Sequence, residues 1–141
     1  MLLRTAAATV LVASLGGLAS AAPQPTKVHV GLSASFVTAG GGKLWVTDHT
    51  AGRLVKVDAA TMTVQATVTV GANPLASAWI GGRLWVPNID SNTVSVVDPA
   101  TATATVERTI PVGPSPIALA AAAGSARVTS EFDGELWRFD P

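Results

Sequence analysis

The stretch GGRLWVPNIDSNTVSVVD, residues 81–98, lies without a gap over GGKLWVTDHTAGRLVKVD, residues 41–58, at a constant offset of 40. A third, more worn copy follows at an offset of 42. Gly71-Ala72-Asn73-Pro74 answers to Gly113-Pro114-Ser115-Pro116, Val86 to Val128, and Asp98-Pro99 to Asp140-Pro141. The step from 40 to 42 is a two-residue insertion near Ala102 and Thr103. It falls in a turn, where lengthening the loop costs little. Repetition at this period marks a repeat architecture, and the content of each unit decides which one.

Each unit is made of strands. KLWVTD, RLVKVD and TVQATVTVG are short, partly alternating and rich in Val, Thr and Leu. Turn formers separate them at 48–52, 58–61 and 71–74. No stretch after the first 21 residues carries a capped 3.6-residue period. IALAAAAG, from Ile117, has helix propensity, but its alignment with LASAWIGG makes it a buried strand. Four short antiparallel strands per unit of about 40 residues is a propeller blade. The expected fold is therefore all-β: three blades of four antiparallel strands, as a partial propeller or half of a dimeric six-bladed ring. The units span about 32–71, 72–113 and 114–141, with KVHVG at 27–31 as an additional outer strand.

These residues resemble the YVTN-repeat β-propellers. LWVTD, LWVPNIDSNTVSVVDPAT and TVQATVTVGANP carry the resemblance, which extends over residues 28–141. Trp45 and Trp85 take the place of the usual aromatic-aliphatic pair, and Arg127 stands where a third Trp would be. A large aromatic recurring at one position reads as an inter-blade wedge, burying on the order of 200 Å² each. Asp58, Asp98 and Asp140 open the turn after the third strand, where a carboxylate accepts backbone N–H groups. Gly31, Gly71 and Gly113 leave the outer strand and serve backbone geometry.

Residues 1–21 read as a secretory signal. Arg4 precedes an apolar stretch, 6–18, that closes on Ala19-Ser20-Ala21. The stretch is too short to cross a hydrocarbon core of roughly 30 Å as a helix. The expected location is therefore periplasmic or extracellular, with no membrane insertion once the signal is cleaved. Nine acidic and nine basic side chains cancel, so no global field draws nucleic acid or anionic lipid. The absence of Cys removes disulfides, thiolate metal sites and cysteine nucleophiles.

Few residues are left for chemistry. His29 reads as a solvated strand residue. His49 follows Asp48 in a turn near the rim of a face, and Glu131 holds the same turn in unit three. A His and a Glu from equivalent loops could converge on the central mouth of a ring, so both are candidate catalytic groups. The candidate ligand-binding set is Asp48, His49, Asn88, Asp90 and Glu131. Trp79 and Trp137 do not recur, and partial burial is their expected state. No nucleotide, zinc-protease or nucleophile-elbow motif is present, and no metal or cofactor is expected.

The leading functional expectation is a non-catalytic binding or interaction module for a protein or small-molecule ligand. LWVTDHT and VTSEFDGELWRFD are also similar to the virginiamycin B lyases. That likeness implies a His, acidic residues and Mg²⁺, although the LWFTE form of that family is missing. A third expectation is a fragment of a longer propeller without independent function, since closed propellers typically have four to eight blades. If the chain is instead a whole product, KVHVG of one copy would complete the third blade of another, as a head-to-tail homodimer.

Overall fold

The computed structural model describes residues 24–100 and 102–140; the expected signal, 1–21, lies outside them. The described residues contain no helix. Eleven strands form three antiparallel sheets, one to each repeat. Blade 1 contains β1 (Ala34–Gly40), β2 (Lys43–Asp48), β3 (Arg53–Asp58) and β4 (Thr63–Thr69), hydrogen-bonded in that order. Blade 2 contains β5 (Ala78–Ile80), β6 (Arg83–Asn88), β7 (Thr93–Asp98) and β8 (Thr105–Pro111). Blade 3 contains β9 (Pro116–Ala122), β10 (Ser125–Ser130) and β11 (Glu135–Phe139). These are β-propeller blades.

The first hairpin of each blade turns on two residues with positive φ, the geometry that matches strand twist. They are Gly41 and Gly42 at 60° and 72°, Gly81 and Gly82 at 60° and 76°, and Ala123 and Gly124 at 47° and 75°. AGGGK is accordingly a hairpin turn. Pro87 explains the shortness of β5. Its carbonyl accepts Leu75 N at 3.0 Å on the β5 side, and its missing N–H would have pointed to the same side. The ladder there reduces to Ala78–Ile80. A bulge at Lys56/Val57 recurs at Val96/Val97, 40 positions on.

The core lies in the seams between blades. In the first seam Trp45, Leu54 and Val68 of blade 1 meet Leu84, Val86, Val97 and Ala104 of blade 2. In the second, Ile80, Trp85, Val94 and Val96 of blade 2 meet Ala126 and Val128 of blade 3. Alternation along β6 makes this possible: Leu84 and Val86 face backwards while Trp85 faces forwards. Trp45 and Trp85 are 0% and 1% exposed, each a wedge offered by one blade to the next. Lys56 Nζ stands 5.5 Å from the Trp45 ring and donates to Pro99 O at 3.1 Å, so a cation also crosses the first seam.

The non-recurring tryptophans are both half-buried. Trp79 lies against blade 1, where a Cβ on Gly40 would stand 2.3 Å from its ring. Trp137 stacks on Phe139 at 6.2 Å and 7°. Asp58 Oδ1 accepts Ala60 N and Thr61 N, both at 3.0 Å, and Asp98 Oδ1 accepts Ala100 N at 2.8 Å. The Lys43 ammonium and these turn donors hold the Asp58 carboxyl well below the usual range.

One expectation is corrected. β9 is a strand, but Ala118, Ala120, Ala121 and Ala122 are exposed. One face of this inner strand meets blade 2, and no described blade covers the other. Residues 27–31 form no strand in the single chain; the pairing expected of them is with a second copy. Asp140 accepts the Arg138 guanidinium at 3.0 Å.

The wedge can be tested against its counterpart. Arg127 alternates with the seam residues Ala126 and Val128, so it faces away from blade 2, and among the described residues it bonds Ser125 Oγ and Ala126 O. Trp45→Ala should lower the unfolding free energy by about 3–5 kcal/mol. Arg127→Ala, at the equivalent place, should cost less than about 1 kcal/mol. Urea unfolding followed by circular dichroism measures both.

Candidate functional site

The segments between blades bring the predicted residues together, and they are tied down in a repeating way. At the end of the second strand of each blade stands a polar side chain: Asp48, Asn88 or Ser130. Asp48 Oδ2 accepts Leu32 N at 3.2 Å and Oδ1 accepts Ser33 N at 3.0 Å. Asn88 Oδ1 accepts Gly71 N at 3.1 Å, while its Nδ2 donates to Thr93 Oγ1 at 3.1 Å and Ser95 Oγ at 2.9 Å. Ser130 Oγ donates to Pro114 O at 2.7 Å. The next backbone N–H repeats the tie: His49 to Ser33 O, Ile89 to Asn73 O, and Glu131 to Ser115 O.

This contact explains the recurring glycines. A Cβ on Gly71 would stand 2.6 Å from Asn88 Cβ, and one on Gly31 would stand 2.0 Å from Asp48 Oδ2. One on Gly113 would stand 2.5 Å from Ser130 Oγ. The incoming backbone must therefore come closer to the side chain than any residue but glycine permits.

Two of the five candidate binding residues are thus structural. Asp48 and Asn88 are buried and hydrogen-bonded. His49 and Asp90 share a solvent-open groove of about 430 Å³ at the rim of the first seam. Its walls are the turn after β2, the segment after β4 and the turn after β6, and it also includes Thr50, Gly52, Thr69 and Asn73. Glu131 is not among the lining residues; it is exposed, and accepts Ser115 Oγ at 3.1 Å beside the second seam. Glu131 thus stands outside the groove that His49 and Asp90 line. Among the described residues no group of three or more His, Asp or Glu is placed to hold a metal ion.

Sequence reasoning missed Asn73 and the outer part of the groove. Asn73 has a φ of 55°, and its Oδ1 is buried with no hydrogen-bond donor. The available signal was ANP after the outer strand, which reads only as a turn. A second groove of about 410 Å³ shares Thr69, Val70 and Gly71 with the first and continues past Ser91, Thr93, Ser95 and Thr109. Asp90 is the one carboxylate lining either groove, and neither is lined by Lys or Arg.

No protein-family profile matches the chain, and neither does any curated protein. Solved structures do match. The hydrazine synthase of Kuenenia stuttgartiensis is 27% identical with a TM-score of 0.52, over 78% of this chain and 34% of that one. A streptogramin B lyase is 15% identical with a TM-score of 0.59, over 76% and 40%. The virginiamycin B lyase of Staphylococcus aureus is 12% identical with a TM-score of 0.57, over 74% and 40%. The lyases are β-propeller proteins. At their level of identity the likeness shows the fold alone, and this chain spans about a third to two fifths of the matched chains.

The division between structural and available side chains has a direct consequence. Asn88→Ala should destabilise the protein by about 2 kcal/mol or more, since it strands a buried N–H. His49→Ala, at a groove wall, should change stability by no more than about 0.5 kcal/mol. Thermal unfolding of the two variants measures the difference.

Proposed function

We propose that the chain is a non-catalytic binding module of the β-propeller type, built from YVTN-type repeats and exported to the periplasm or beyond. Its ligand, a small molecule or a segment of a partner protein, would meet it in the rim groove of the first seam. One observation carries this reading. His49 and Asp90 come from two different blades, line one groove, and have no side-chain hydrogen bond or ion pair among the described residues. Asp48 and Asn88, one and two positions before them, are committed to the fold. Side chains spared from structural duty and gathered in a concavity are what a binding site requires.

A second reading is a metal-dependent lyase of the virginiamycin B type. The TM-score of 0.59 to a streptogramin B lyase supports that architecture. It would assign His49 and Glu131 as the acid-base pair, with Mg²⁺ at the acidic residues. The placement of Glu131 beside Ser115, outside the groove with His49, weighs against that pairing. A third reading takes the chain as part of a longer propeller, in keeping with the two fifths of each lyase that it covers.

Amide-resolved NMR of the labelled protein against a panel of small polar compounds separates the first two readings. Under the binding reading, shifts cluster at 49–52, 69–73 and 90 and do not depend on Mg²⁺. Shifts that need Mg²⁺ and centre on Glu131 would instead favour the lyase.

A further inference from the structure

We infer that the Asp90 end of the groove binds a cationic amine, the ammonium or guanidinium of a basic side chain on an extended peptide; this rests on the groove being the binding site. Charge gives the first argument. Asp90 is exposed and forms no ion pair among the described residues, and no Lys or Arg lines either groove. Asp58, Glu107 and Asp140 are ion-paired, to Lys43 at 2.7 Å, Arg83 at 2.7 Å and Arg138 at 3.0 Å, while Asp48, Glu131, Asp133 and Glu135, which among the described residues are not, line neither groove. A carboxylate without a partner in a concave site favours a cation over an anion.

Hydrogen-bonding capacity gives the second. Asn73 Oδ1 is a buried acceptor that lacks a donor, a state that costs about 1–3 kcal/mol until an N–H or O–H reaches it. Its backbone is fixed, since Asn73 O accepts Ile89 N at 3.1 Å. Further along, the polarity reverses. Ser91 Oγ accepts Ala72 N at 2.7 Å, and the Thr93 and Ser95 hydroxyls accept Asn88 Nδ2. Ser91 is exposed and Thr93 half-buried, so with lone pairs engaged inward their O–H protons are free to donate outward, whereas Ser95 is buried. The groove thus runs from an acceptor end to a track of donors. An amine followed by backbone carbonyls presents the complementary order.

Other ligand chemistries fit less well. A divalent cation would find a single carboxylate, and no group of three ligating side chains exists among the described residues. A sugar would find no Trp, Tyr or Phe in either groove on which to stack.

The experiment is an NMR titration with acetyl-Gly-Lys-Gly-amide and its norleucine analogue, which keeps the length and removes the charge. The lysine peptide should shift the amides at 49–52, 69–73 and 90 and bind at least about tenfold tighter than the norleucine peptide, the scale of one charged hydrogen bond. Asp90→Asn should remove that preference and leave the unfolding midpoint unchanged. Added salt should weaken the lysine peptide alone. Equal affinity of the two peptides, or a lysine preference that survives Asp90→Asn, overturns the cationic assignment while the groove stands. Failure of both peptides and of glucose to shift any groove amide overturns the groove itself.

Discussion

Each seam is closed by an indole from one blade pressed into the aliphatic face of the next, and the rest of the structure depends on that contact. A four-stranded sheet exposes two faces and cannot bury either by itself, so blades are stable only as neighbours. Trp45 and Trp85 supply the largest apolar surfaces, and the alternation of β6 lets one strand serve both seams. Packing this close forces the connecting backbone down onto the next blade. Its N–H groups would be stranded there without Asp48 and Asn88 to accept them. The wedge and the polar tie are therefore two parts of one device.

The groove is a by-product of the same device. Its floor is the segment after β4, held by Val70 N to Gly52 O, by Gly71 N to Asn88 and by Ala72 N to Ser91. A site with a fixed floor needs little reordering when it binds, which favours recognition. Along one short stretch of chain, the side chain that points inward holds the fold. The one or two that follow face the groove.

Strands, period and wedge were legible because each is written in local spacing. A period-2 pattern marks a strand, and a recurring Trp at an offset of 40 marks a seam. The polar residues were harder to read. Asp48 and Asn88 at a strand end have the same chemistry whether they bind a ligand or a backbone amide, and only the path of the incoming segment distinguishes the two. Glu131 holds the place of His49 two blades on; it accepts Ser115 Oγ and is not among the residues lining the groove with His49. Exposure of β9 was hidden because burial depends on what lies beyond a strand, and the strand's own residues do not record it. Asn73 was missed because ANP after an outer strand reads only as a turn, and its φ of 55° fits that reading.

Native-state hydrogen exchange tests the dependence on the seam most directly. The amides of Ser33, Gly71 and Ser115 lie in segments without strand pairing, yet each donates to, or sits beside, a tie from the next blade. If the seams hold the fold, these amides exchange only through the same global opening as Val46 and Val86 in the central strands, and Trp45→Ala accelerates both sets together. Exchange of Gly71 at the rate of an open loop, with Val86 still protected, would contradict it.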